Sequence, residues 1–181
     1  MVKVIKIIIL FVWISGLSMC MSCCSKIFPD EKLSMQREDY FGNELRTAGY
    51  YFREDNTSNR MIIYLLYNNG VLLYGGAPMI SEIEKREQEF ANGEWHNTRK
   101  NDKAAWGIFR IKGQNIRIEK WEPSTGIGLP VYIREGNILD DTTFHIITGY
   151  SPDGSNRQEL DEIYHFRAFS PKPDSTNVYI K

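Results

Sequence analysis

From residue 45 onward the chain is built of short runs rich in Tyr, Ile, Val and Phe, broken at fairly even intervals by turn residues. Runs of this length with turn signals between them specify antiparallel β-structure, because each strand must return beside its predecessor. The clearest pair is Arg60 to Tyr67 and Val71 to Gly76, joined by Asn68-Asn69-Gly70, since Asn-Gly tolerates the positive φ of a tight turn. A second pair, Ala105 to Ile111 and Asn115 to Trp121, turns at Lys112-Gly113-Gln114. Alternation there sets Phe109, Ile111, Ile116 and Ile118 on one face and sends Arg110, Lys112, Arg117 and Glu119 to water. Leu45 to Arg53 precedes these pairs. Leu129 to Arg134 and Ile138 to Thr148 follow, with a turn expected at Glu135-Gly136-Asn137. Glu162 to Phe169 comes last, after the turn sequence Ser151-Pro152-Asp153-Gly154.

One segment has a different period. Ser81 with Glu84 forms a capping-box pattern, Glu82/Arg86 and Lys85/Glu89 add pairs at helical spacing, and Asn92-Gly93 marks a stop. A helix is expected from about 82 to 91, its narrow apolar stripe of Ile83 and Phe90 lying on the side or end of a sheet. The runs make about eight strands. The fold class expected is therefore all-β, an antiparallel up-and-down meander with one short inserted helix, closed as a barrel or left as a half-barrel or sandwich.

The N-terminus carries a separate message. Lys3 and Lys6 give a basic start, the apolar run Val4 to Leu17 has its hydrophobic segment at Ile7 to Trp13, and the small residues Ser15, Gly16 and Ser18 lead to all three cysteines of the chain, Cys20, Cys23 and Cys24. The run is shorter than the ~20 residues of a spanning helix. Cys-x-x-Cys-Cys without a second ligand pair is a poor zinc site. The segment resembles the signals of bacterial lipoproteins, in which a cysteine behind an apolar and small-residue box is acylated after cleavage. The resemblance implies a signal peptide over 1–22, lipid attachment at Cys23 with Cys20 and Cys24 as alternatives, and a location in the cell envelope, at the outer membrane of a bacterium. The polar stretch that follows, with Pro29, reads as a flexible tether over 23–43, leading to one domain over 44–181.

Cleavage before Cys23 removes two lysines and no acid, leaving 20 basic against 23 acidic side chains and a net charge of −3. A mildly acidic surface without basic blocks excludes nucleic acid as the expected partner. With the cysteines at the anchor, the domain depends on packing, and its aromatic residues supply the material.

Gly49-Tyr50-Tyr51 on the first strand, Trp106-Gly107-x-Phe109-x-Ile111 and Thr142-Thr143-Phe144-His145-Ile146 together resemble lipocalin-like lipoproteins of Gram-negative bacteria, with Tyr51 standing where lipocalins carry tryptophan. The resemblance implies a barrel that encloses side chains or one small ligand. The expected inward set is Tyr51, Ile63, Leu65, Phe109, Ile118, Phe144, Tyr164 and Phe166. Of these, Tyr51, Phe109, Phe144, Tyr164 and Phe166 are the candidate ligand-binding residues for a small apolar or amphipathic molecule. The alternative is a structural or interaction protein, monomeric and without an internal ligand, meeting envelope glycans or proteins through exposed Trp95, Trp106 and Trp121.

No catalytic residue, metal site or cofactor is expected. His96, His145 and His165 are isolated from any second ligand at metal spacing. Asp140-Asp141 would point to opposite faces of a strand, Ser155 lacks a nucleophile elbow, and Gly126-Ile127-Gly128 lacks the third glycine of a phosphate loop.

Overall fold

A computed structural model describes residues 29–126 and 128–181. The expected signal peptide over 1–22, the three cysteines and Ile127 lie outside the described residues. Eight strands follow one another as β1 (Gly49–Asp55), β2 (Arg60–Leu66), β3 (Val71–Gly76), β4 (Trp106–Lys112), β5 (Asn115–Trp121), β6 (Val131–Asp140), β7 (Thr143–Tyr150) and β8 (Gln158–Ala168). Each pairs antiparallel with the next, and β8 returns to β1 with Tyr51 opposite Phe166, so the sheet closes as a barrel in sequence order. Closure removes the edges of this sheet, which leaves no unpaired strand among the described residues for another chain to extend.

The turn chemistry acts where the sequence places it at two hairpins. Gly70 and Gly113 both take positive φ, +75° and +58°, as tight reversals require. Gly136 has another role. β6 runs unbroken through Glu135-Gly136-Asn137, and the reversal comes at Asp141-Thr142, where the Asp140 carboxylate accepts the Thr142 N–H and hydroxyl. The register shifts between Glu135 and Gly136, and a Cβ on Gly136 would stand 1.9 Å from the His145 carbonyl oxygen. The expected turn is thus a bulge, in which glycine permits close backbone approach.

Helix α1 (Ile83–Ala91) lies near its expected place, and a second helix, α2 (Glu94–Arg99), follows it. The reciprocal bond at the start comes from Glu82, which accepts the Met79 N–H, and not from Ser81 with Glu84. Arg86 pairs with Glu89 at 2.7 Å in place of Glu82. Both helices lie outside the barrel. Phe90 packs edge-on to Tyr50 and Trp95 with ring centroids 6.3 and 6.0 Å away.

The core has two parts because both sheet faces are covered over part of the wall. Inside are Tyr51, Tyr64, Leu66, Leu72, Phe109, Ile118, Phe144 and Tyr164. Outside are Tyr50, Ile63, Leu65, Val71 and Leu73, covered by the helices and by chain from both terminal segments. Ile63 and Leu65 therefore belong to the outer core, contrary to the inward set expected of them. Trp95, Trp106 and Trp121 are 7%, 0% and 4% exposed. They cannot serve as exposed contact residues, because that outer face is covered.

Residues 29–43, expected to form part of a tether, run as a strap across the outer face of β4 to β6. The Glu31 N–H donates to Leu129 O at 3.0 Å, Trp121 Nε1–H donates to Glu31 O at 2.7 Å, and the Val131 N–H donates to the Glu31 carboxylate at 2.7 Å. Further along, the Tyr40 ring meets Phe109 edge-on at 5.6 Å and its hydroxyl accepts the Leu45 N–H, so Tyr40 plugs one barrel end. The strap also explains why β5 does not simply face water. Glu119, expected on a solvated face, is 0% exposed beneath Ser34 and Met35.

Candidate functional site

The barrel interior is divided along its axis. Toward the end bearing the turns at 67–70, 113–114 and 141–142 it is aromatic and aliphatic. Toward the opposite mouth, where α1, α2 and the 122–130 and 151–157 loops gather, the inward positions become charged.

Strand alternation fixes the aromatic part. Tyr64 on β2 stacks on Tyr164 of β8 with centroids 5.1 Å apart, and Tyr164 stacks on Phe144 of β7 at 4.9 Å with planes 12° apart. Tyr51 meets Phe144 at 5.1 Å and Phe166 at 5.3 Å, while its hydroxyl donates to Arg46 O at 3.0 Å. The five candidate ligand-binding residues are brought together. Tyr51, Phe109, Phe144 and Tyr164 are buried and Phe166 packs against them, each ring occupied by protein neighbours.

Two residues further along the same strands come the charges, since every second residue keeps the inward direction. Arg53 follows Tyr51, Lys120 follows Ile118, and Glu162 precedes Tyr164. Arg134 of β6 joins them. Its Nη1 lies 2.7 Å from Glu122 Oε1, and Lys120 Nζ lies 3.0 Å from Glu122 Oε2. Glu162 bridges Arg53 at 3.3 Å and Arg134 at 3.7 Å and accepts the Tyr164 hydroxyl at 3.4 Å. Lys120 is buried and also donates to the Ala104 and Trp121 carbonyls.

This belt holds three cations against two carboxylates, so its local balance is positive. Burial disfavours charge on Glu122, but Lys120 and Arg134 beside it hold its carboxyl below the ordinary glutamate range. Burial likewise opposes charge on Arg134, yet Tyr64, Glu122 and Glu162 keep its guanidinium firmly protonated. Burial pushes the Tyr64 phenol up to about 12 and the Tyr164 phenol upward as well, so both act as neutral donors at physiological pH. The Nε atoms of Arg53 and Arg134 are buried without a hydrogen-bond partner among the described residues. Such donors stabilise an acceptor brought to them.

The belt contains no Ser, Cys or His to act as a nucleophile beside a base. The histidines lie elsewhere and apart: His96 against Trp106, His145 paired with Asp161 at 2.8 Å on the outer surface, and His165 beside Phe52. Among the described residues Ser155 bonds only within its own turn, to Asp153, Asn156 and Ser151. Among the described residues no three His, Cys, Asp or Glu side chains converge as a metal site, and no helix is long and apolar enough to cross a membrane.

Outside the barrel, the strap and residues 178–181 border a groove of about 990 Å³ that reaches Lys103, Ile108 and Trp121. Family models, curated proteins and solved structures provide no match to the chain.

Proposed function

We propose that this chain is a lipid-anchored cell-envelope protein whose barrel is a filled, rigid scaffold, acting through its outer surface and not by carrying a molecule inside. The observation that carries this reading is the Tyr64–Tyr164–Phe144 stack, with successive centroids 5.1 and 4.9 Å apart across the barrel interior. Rings packed at that spacing occupy the volume that a lipocalin-type ligand requires. The cysteine cluster behind the apolar run supports the anchor.

A second reading draws on the mouth belt. Its positive balance and the Arg53 Nε atom, buried without a hydrogen-bond partner among the described residues, favour the acidic head of an amphipathic molecule resting at the mouth. Thermal unfolding with added fatty acid or lysophosphatidic acid separates the two. The scaffold reading expects no change in Tm. A saturable rise in Tm that disappears in Arg134→Gln would replace it with the second reading.

A further inference from the structure

The strap limits which surface of the barrel an anchor at Cys23 could bring to a membrane. Among the described residues its bonds begin at residue 30, where the Asp30 carboxylate accepts the Leu129 N–H at 2.9 Å and pairs with Lys103 at 2.9 Å. Cys23 and Pro29 are six residues apart in sequence, a span of at most about 20 Å when fully extended. A chain free as far as Gly49 would reach about 90 Å and leave the barrel's orientation open.

We infer that the groove between the strap and residues 178–181 is the face that rests on the bilayer, with its basic side chains against anionic lipid headgroups. The inference rests on the anchor reading given above. The groove's acids are already engaged: Asp30 as described, and Glu31 by the Val131 N–H at 2.7 Å. Among the described residues Lys32 and Arg37, both exposed on the groove rim, have no carboxylate partner. Val178 stands 73% exposed beside them and adds an apolar contact. Lysine and arginine beside an exposed aliphatic group match the charge and depth profile of a headgroup layer. A short leash supplies the proximity, so the groove does not need strong affinity of its own.

The test uses the full lipidated chain, followed by hydrogen exchange in neutral detergent and on vesicles of equimolar phosphatidylethanolamine and phosphatidylglycerol. Segments 29–37 and 176–181 should slow by roughly three-fold or more on the vesicles, while the outer face of β8 around Ile163 stays unchanged. The double variant Lys32→Glu, Arg37→Glu should lose that slowing and remain attached. Sedimentation with the vesicles but unchanged exchange in both segments would overturn this inference alone. A chain that fails to sediment would overturn the anchor reading, and this inference with it.

Discussion

Replacing Glu119 by glutamine tests how the strap is held. One carboxylate oxygen accepts the Ser34 N–H at 2.7 Å and the Met35 N–H at 3.0 Å, while the other accepts the Ser34 hydroxyl and Arg117 Nη2–H, the latter at 2.7 Å. A glutamine has only one accepting oxygen, so two of these donors would face an NH₂ group. Hydrogen bonds to a charged group contribute about 1.5 to 3 kcal/mol each, and water reaching the exposed Ser34 offsets part of the loss, giving about 2 to 4 kcal/mol for strap docking. At about 1.4 kcal/mol per factor of ten, protection of the Ser34 and Met35 amides should fall by roughly 30-fold or more. Burial raises the Glu119 carboxyl, but the Ser34, Met35 and Arg117 donors outweigh it and hold the group below its ordinary value. Its contribution is therefore complete above the unfolded pKa and disappears as pH falls through the folded one. Wild-type strap protection should thus fall in acid, beginning as pH drops through the normal glutamate range and complete below the lowered folded value. Hydrogen exchange resolved to the strap, alongside urea unfolding, reads both effects. Intact amide protection in Glu119→Gln would refute the reasoning, even if global stability fell.

Phe144→Ala should cost about 3 to 5 kcal/mol in urea unfolding, because it empties the centre of the aromatic stack; a loss below about 1 kcal/mol would mean the ring is not confined there. Arg134→Ala leaves Glu162 with Arg53 alone and Glu122 with Lys120 alone, and should cost about 3 to 5 kcal/mol, whereas exposed Arg46→Ala, paired with Asp141, should stay within about 0.5 kcal/mol. Burial pushes the Lys172 ammonium down to about 8. Between that value and the unfolded amine's pKa the native state binds fewer protons, so stability should rise as pH increases above about 8, and the rise should be absent in Lys172→Met.

The all-β class, the number of strands and the hairpins at Gly70 and Gly113 were legible because each depends on local turn chemistry and a period of two. The turn expected at Gly136 is a bulge for a physical reason. Glycine marks both reversals and bulges, and only the partner strand's His145 carbonyl distinguishes them. The direction of Ile63 and Leu65 was hidden because β2 is buried on both faces, so its RMIIYLL run carries no alternation. The tryptophans and Glu119 misled for a related reason, since covering comes from the strap and helices, which are distant in sequence. The mouth belt did leave a signal. Arg53, Lys120 and Glu162 lie in phase with Tyr51, Ile118 and Tyr164, so inward charges were already written in the alternation.

Native mass spectrometry of the full chain extracted from its own membrane tests the central claim most directly, since one spectrum reads both the covalent anchor and any passenger. The account predicts a processed chain beginning at an acylated Cys23, with a diacyl or triacyl adduct and no stoichiometric small molecule. An unprocessed, unacylated chain, or a one-to-one bound ligand that survives extraction, would contradict it.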